Sequence, residues 1–270
     1  MRYWVLVCFF LLVSSAVAFA NDNGNIFSST SSIKQELKDV KNEASDFIST
    51  PADTENGGLI YTAVAAGATG IALAFDKDIR NLVLGSKSST LHKAADIGNI
   101  VGNPFIHIGI AGVLYGGGVL TKSPGYAEEG QMLGEALLLS DASDLVLKYS
   151  IGRGRPFQTR SKGEYRPFQF KSNYDSMPSL HVSSAFATAS VLSTCTDSVP
   201  AKIFYYAAAT FVGFSRIYSD KHWASDAVLG AAIGELSGLV VTRYHFKKSQ
   251  VAVMPAFGEK TAGLMIQGNL

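Results

Sequence analysis

The sequence predicts an all-α protein built as a six-helix-type bundle, and three observations carry that reading. Six apolar segments rich in Ala and Gly, each of helical length, are joined by short polar connections. No strand-like alternation occurs before residue 250. Hydrophobic residues make up 47% of the 270, enough to bury one full core.

The elements follow in chain order. Residues 1–20 have a basic start at Arg2, an apolar centre and the small-x-small run Ala18-Phe19-Ala20, the pattern of a cleaved secretory signal. An uncleaved anchor helix is the alternative. Cleavage leaves Cys195 as the one cysteine, so no internal disulfide can form. Residues 21–58 form a polar segment with one amphipathic helix at 32–48, where Ile33, Leu37, Val40, Ala44 and Phe47 recur at helical spacing, followed by a linker. Lysines and acids nearly cancel on that helix, which favours docking on the core over anchoring to a charged membrane.

The helical domain occupies 59–248. Its segments are 59–75, ending at Asp76-Lys77-Asp78; 105–120, entered through Gly102-Asn103-Pro104; 128–150; 179–195; 201–218; and 224–244. The tail, 249–270, is either a short hairpin turning at Gly258-Glu259-Lys260 or an irregular packed extension. A formal net charge of +1 gives no reason to expect a nucleic-acid partner. Mean hydropathy of +0.17 is high for a soluble chain, and 17% charged residues is high for a polytopic membrane protein.

Three stretches carry anion chemistry. Lys148 ends a helix and leads into Arg153, Arg155, Arg160, Lys162, Arg166 and Lys171, opposed only by Glu164, so the loop would attract anions. In Met177-Pro178-Ser179-Leu180-His181 a proline opens a helical run, and free N–H groups at such a start bind anions. Ser179 would be an ordinary N-cap there in the plainer account. His181, in the first turn, would shed its proton unless a bound anion held it, and could then serve as an acid. In the third stretch, 215–226, His222 and Asp226 are four apart, so that a carboxylate could orient the imidazole as a nucleophile, and Arg216 could fork onto anionic oxygens. His92, His107 and His245 lack comparable neighbours and read as structural. No cluster shows metal-ligand spacing.

These motifs resemble the type 2 phosphatidic acid phosphatase superfamily, which includes bacterial class A acid phosphatases and vanadium haloperoxidases. The likeness rests on Lys148 with Arg155-Pro156, on Pro178-Ser179-Leu180-His181, and on Ser215-Arg216 with His222 and Asp226, and covers about 130–240. The resemblance implies a helical bundle whose motifs converge at one end. It implies a metal-independent phosphomonoesterase with no cofactor: His222 attacks phosphorus, Asp226 orients it, His181 protonates the leaving alkoxide, and Lys148, Arg155, Ser179, Leu180 and Arg216 surround the phosphoryl oxygens. The substrate would be a lipid phosphate or a small phosphate ester.

This sequence departs from the family at Leu180, where the family has glycine, so a side chain stands where backbone would approach phosphate. Leu180 either lines the leaving-group pocket or weakens activity. Two other readings stay open: a vanadate-dependent peroxidase on the same pocket, and a non-catalytic anion- or lipid-binding protein. The signal implies export to the periplasm, as a soluble or membrane-associated protein, with an integral membrane protein as the alternative. A cleaved signal with all six helices spanning would put Lys148 and Arg155 in the cytoplasm; oligomeric state is not legible.

Overall fold

A computed structural model describes residues 30–159, 161–249, 251–258 and 261–268. The signal reading at 1–20 falls outside these residues. Helix α1 (Thr30–Ser49) leads through a single 3-10 turn (Thr50–Ala52) into α2 (Gly58–Gly85), followed by α3 (Ser89–Val101), α4 (Pro104–Leu120) and α5 (Pro124–Ile151). A short turn of helix, α6 (Pro156–Thr159), lies in the long loop before α7 (Leu180–Thr194), α8 (Val199–Tyr218) and α9 (Ala224–Ser249). Strands β1 (Val251–Gly258) and β2 (Thr261–Gly268) pair antiparallel from Val251↔Gly268 to Gly258↔Thr261, as the hairpin reading expects; Glu259 and Lys260 lie outside the described residues.

Two elements differ from expectation. Helix α2 does not stop at Asp76-Lys77-Asp78, because Asp76 is no solvated terminator: its buried carboxylate accepts from Arg153 and from Ser225. Helix α3 was not foreseen. Ser88 starts it, its side chain accepting from the Leu91 N–H at 3.2 Å. Its axis meets that of α4 at 51°, where Asn103 accepts from the Phe105 N–H and Pro104 opens the next helix.

Small residues set the helix spacing. A Cβ on Gly234 would stand 2.1 Å from the Ser183 carbonyl oxygen, and one on Gly230 would stand 2.7 Å from that of Ser179. These glycines, with Gly238 one turn on, let α9 lie directly on α7. The core between α5, α7 and α9 holds Leu133, Ala136, Leu137, Ala187, Val191 and Val241, with Phe47 of α1 added at its edge. A second cluster joins α7, α8 and α9 through Val182, Ala185, Ala209, Val212 and Ala227.

The outer surface is strongly apolar. Ile60, Val64, Ile71 and Leu82 on α2 are exposed, as are Val113 and Leu120 on α4 and Ile203 and Phe204 on α8. Helices Gly58–Gly85 and Ala224–Lys247 are long and apolar enough to cross a membrane, and α3 with α4 meets the same test as one bent span. Helices α5 and α8 deliver their C-terminal ends, and α7 and α9 their N-terminal ends, to the same end of the bundle. The polar constellation lies there.

Candidate active site

Lys148 sits in the last turn of α5, fully enclosed, its ammonium donating to the Asp175 carbonyl at 2.8 Å and to that of Pro178. Gly152 then turns the chain with φ of 61°, its N–H bonded back to the Lys148 carbonyl. A Cβ there would also strike the Arg166 carbonyl oxygen at 2.1 Å, so this turn admits only glycine.

Beyond the turn, Arg153 and Arg155 part. Arg155 donates to Asp175 at 2.7 Å and to the Lys221 carbonyl, and its Nη1 lies 3.4 Å from Nε2 of His222. Arg153 is wholly buried, donating at 2.6 Å to each of Asp226, Asp76 and Ser225. The loop is therefore less one-signed than its composition implies: Lys162 donates to the Leu73 and Ala74 carbonyls, and Arg166 pairs with Glu164 at 2.8 Å.

His222 precedes α9 and is almost fully buried. Its Nδ1 donates to the Ser176 carbonyl oxygen at 2.7 Å. A carbonyl only accepts, so the proton resides on Nδ1, and Nε2 keeps its lone pair. Asp226 stands 3.6 Å from Nδ1, too far for the direct hydrogen bond the sequence suggested. Instead its carboxylate accepts from the Trp223 N–H, the Ser176 hydroxyl and Arg153. It thereby caps the start of α9 and fixes Ser176, whose carbonyl holds the imidazole, and Trp223, the residue that follows His222. The side chains meet across the helix start rather than along one helical face.

Ser179 stands at the N-cap position of α7 but makes no capping bond with its side chain; its N–H donates to the Asp226 carbonyl. Its hydroxyl is buried without a hydrogen-bond partner among the described residues, and so is Nε of Arg216. Nη1 of Arg216 donates to Asn99 of α3 at 2.7 Å, which leaves the other edge of the guanidinium unused. Leu180 and His181 open α7 and are half-buried.

The electrostatics report convergence. Burial, then Arg155, Lys148 and Arg216, hold the His222 imidazolium well below its ordinary pKa. Burial and the cations Arg216, Lys148 and Arg155 push His181 down to about 3. Lys148 falls to about 8, chiefly through burial, against the attraction of Asp144. Without an anion, then, both histidines are neutral near pH 7 and face concentrated positive charge. Arg153, Asp76, Ser176 and Asn99 escaped the sequence reading. Arg153 lay in the basic run, but no spacing signal linked it to Asp76, on a helix far upstream.

Residues 131–250 match the PAP2 superfamily. A segment of 112 residues is 37% identical to lipid A 1-phosphatase of Porphyromonas gingivalis; the match takes in 38% of this chain and 22% of that protein, under a quarter of its length. Two solved structures share the fold. Aquifex aeolicus LpxE aligns with a TM-score of 0.52 and 22% identity, over 62% of this chain and 94% of its own. A transmembrane PAP2-type phosphatidylglycerolphosphate phosphatase from Bacillus subtilis aligns with a TM-score of 0.55 and 21% identity, over 70% and 94%. The matched stretch begins within α5 and ends with α9, and Asp76 on α2 and Asn99 on α3 lie upstream of it.

Proposed function

We propose that this protein is a membrane-embedded phosphatase that hydrolyses lipid phosphomonoesters through a phosphohistidine at His222. One observation carries the reading: the unprotonated Nε2 of His222 faces Arg155, near buried donors of Ser179 and Arg216 that have no partner among the described residues. A phosphoryl dianion supplies what those donors lack.

The substrate phosphate accepts from Lys148, Arg155, Arg216 and the Ser179 hydroxyl, which take up charge on its equatorial oxygens. The anion raises the pKa of His181, so that it gains a proton on binding. Nε2 of His222 attacks phosphorus; the N–P bond forms as the P–O ester bond breaks, and the His181 proton passes to the leaving alkoxide. Neutral His181 then takes a proton from water as water attacks the phosphohistidine. That step frees phosphate and returns His222 neutral. Asp226 acts through Trp223 and Ser176, holding the imidazole and its tautomer.

The lipid preference rests on the apolar belt and on Phe168 and Phe170, both exposed in the loop that supplies Arg155. A lipid ester would meet the site from the bilayer with its acyl part already beside apolar surface. Phosphate release in EDTA from phosphatidic acid and from p-nitrophenyl phosphate tests the reading, with His222→Ala as control. Turnover lost in the variant and faster on the lipid is expected; no release from either ester overturns it.

A further inference from the structure

At the end of the bundle away from His222, α1, α5 and α9 bring Glu43, Glu135 and His245 together, all three buried. One oxygen or nitrogen from each lies within 4.8 Å of the others. Nε2 of His245 is 2.7 Å from Oε2 of Glu135 and 3.3 Å from Oε1 of Glu43. Gln131 donates to the other oxygen of Glu135 at 3.0 Å, and Glu128 approaches Nδ1 of His245 at 3.7 Å.

Glu43 makes this more than a polar cluster. It is 0% exposed, and neither carboxylate oxygen has a hydrogen-bond partner among the described residues. A single proton on Nε2 serves one carboxylate, and the shorter distance gives it to Glu135. An ionised carboxylate left without a donor in the interior is costly. A cation in place of that proton would satisfy both acids at once.

The donor set is two carboxylates and an imidazole, which suits a divalent first-row metal such as zinc. Ligand atoms about 2.0–2.2 Å from a tetrahedral zinc stand about 3.3–3.6 Å from each other. The Glu43–His245 spacing of 3.3 Å already meets this, and the Glu135–His245 pair, at 2.7 Å, needs to open by roughly 0.6–0.9 Å. A cleft of about 550 Å³, lined by Tyr126, Glu128, Met132 and Phe246, meets the edge of the cluster at Glu128.

We propose that Glu43, Glu135 and His245 bind a divalent transition cation that clamps α1 onto α5 and α9. The site stands apart from the phosphate chemistry: at 1.5 Å per helical residue, Glu135 is about 20 Å along α5 from Lys148, and His245 about 28 Å along α9 from Asp226. Its role is to fasten the N-terminal helix, and it does not depend on the proposed reaction.

The test uses the full chain in detergent, stripped with EDTA, dialysed against zinc or manganese, and analysed for bound metal. Stoichiometric uptake is expected for the wild type and for His222→Ala, with at least roughly tenfold weaker binding in Glu43→Gln. Should Glu43→Gln not fold, the stripped wild type alone decides. Its melting temperature must rise on adding zinc, and proteolysis in the linker after α1 must slow. No uptake by folded wild type, equal uptake by Glu43→Gln, or an unmoved melting temperature overturns the proposal.

Discussion

Nδ1 of His222 is bonded to the Ser176 carbonyl at 2.7 Å, and Asp226, four residues on, reaches the imidazole only through Ser176 and Trp223. The carboxylate is thus a fixing point for backbone rather than a direct partner. Asp226→Asn keeps the volume but turns one oxygen into a donor that cannot accept from Arg153 or Trp223. We expect kcat to fall by about 10²-fold as the imidazole shifts from the attack line, with KM little changed. Steady-state kinetics on p-nitrophenyl phosphate check this, and an unchanged kcat would sink the positioning role.

Arg153 is the link between this site and α2. Removing it leaves Asp76 and Asp226 buried together without their cation, a situation that costs about 3–5 kcal/mol. Arg153→Met should lower the unfolding temperature sharply, and Asp76→Asn should recover part of the loss in the double variant. A cycle of the two substitutions by thermal unfolding measures that coupling. Additive effects would mean that the 2.6 Å contact carries no energy of its own.

These residues also mark how far the sequence was legible. The bundle could be read because its apolar runs are of helical length and several are bounded by Pro, Gly or Ser, although Ser88 and Gly102, which bound α3, went unread. Lys148, Arg155, Ser179, His181, Arg216 and His222 could be read because the chain carries them in three compact stretches that helix ends bring together. Asp76 and Asn99 could not, since each pairs with a residue far along the chain and pairing is a tertiary matter. The charges at 76–78 argued for a helix end only while their partner was unknown. The basic loop misled in the same way, because Lys162 and Arg166 are occupied by neighbours that composition does not name. His245 looked structural because its two glutamates come from separate helices.

The His181 shift has a pH signature. Its folded pKa, about 3, lies below the ordinary 6.5, so between those values the unfolded chain binds more protons. This residue's contribution to stability therefore rises with pH across that window and is lost as pH falls through it. Without phosphate, the melting temperature of the wild type should fall more steeply from pH 7 to pH 5 than that of His181→Asn. Added phosphate should flatten the difference, because the anion lets His181 keep its proton. Equal slopes with and without phosphate would remove His181 from the anion site.

If the bundle is embedded as proposed, its two ends face different compartments. Lys171 lies exposed in the loop at the His222 end, and Asp197 lies exposed past the far end of α7. In a background lacking the native cysteines, Lys171→Cys and Asp197→Cys should react with an impermeant thiol reagent from opposite sides of sealed vesicles. Labelling of both from one side would point to a bundle that rests on the membrane or in water.

Leu180 is the departure from the family glycine, and its half-buried side chain opens α7 between Ser179 and His181. If it lines the leaving-group side, removing it costs lipid contact and spares phosphate contact. Leu180→Gly should then raise KM for phosphatidic acid several-fold, in keeping with about 1.5–3 kcal/mol for a fully buried leucine side chain and less for a partly covered one. Its kcat on p-nitrophenyl phosphate should stay within about twofold, since Lys148, Arg155 and Arg216 are untouched. A large gain on the small ester would show instead that Leu180 obstructs the phosphate itself, and that the glycine of the family serves close approach here too.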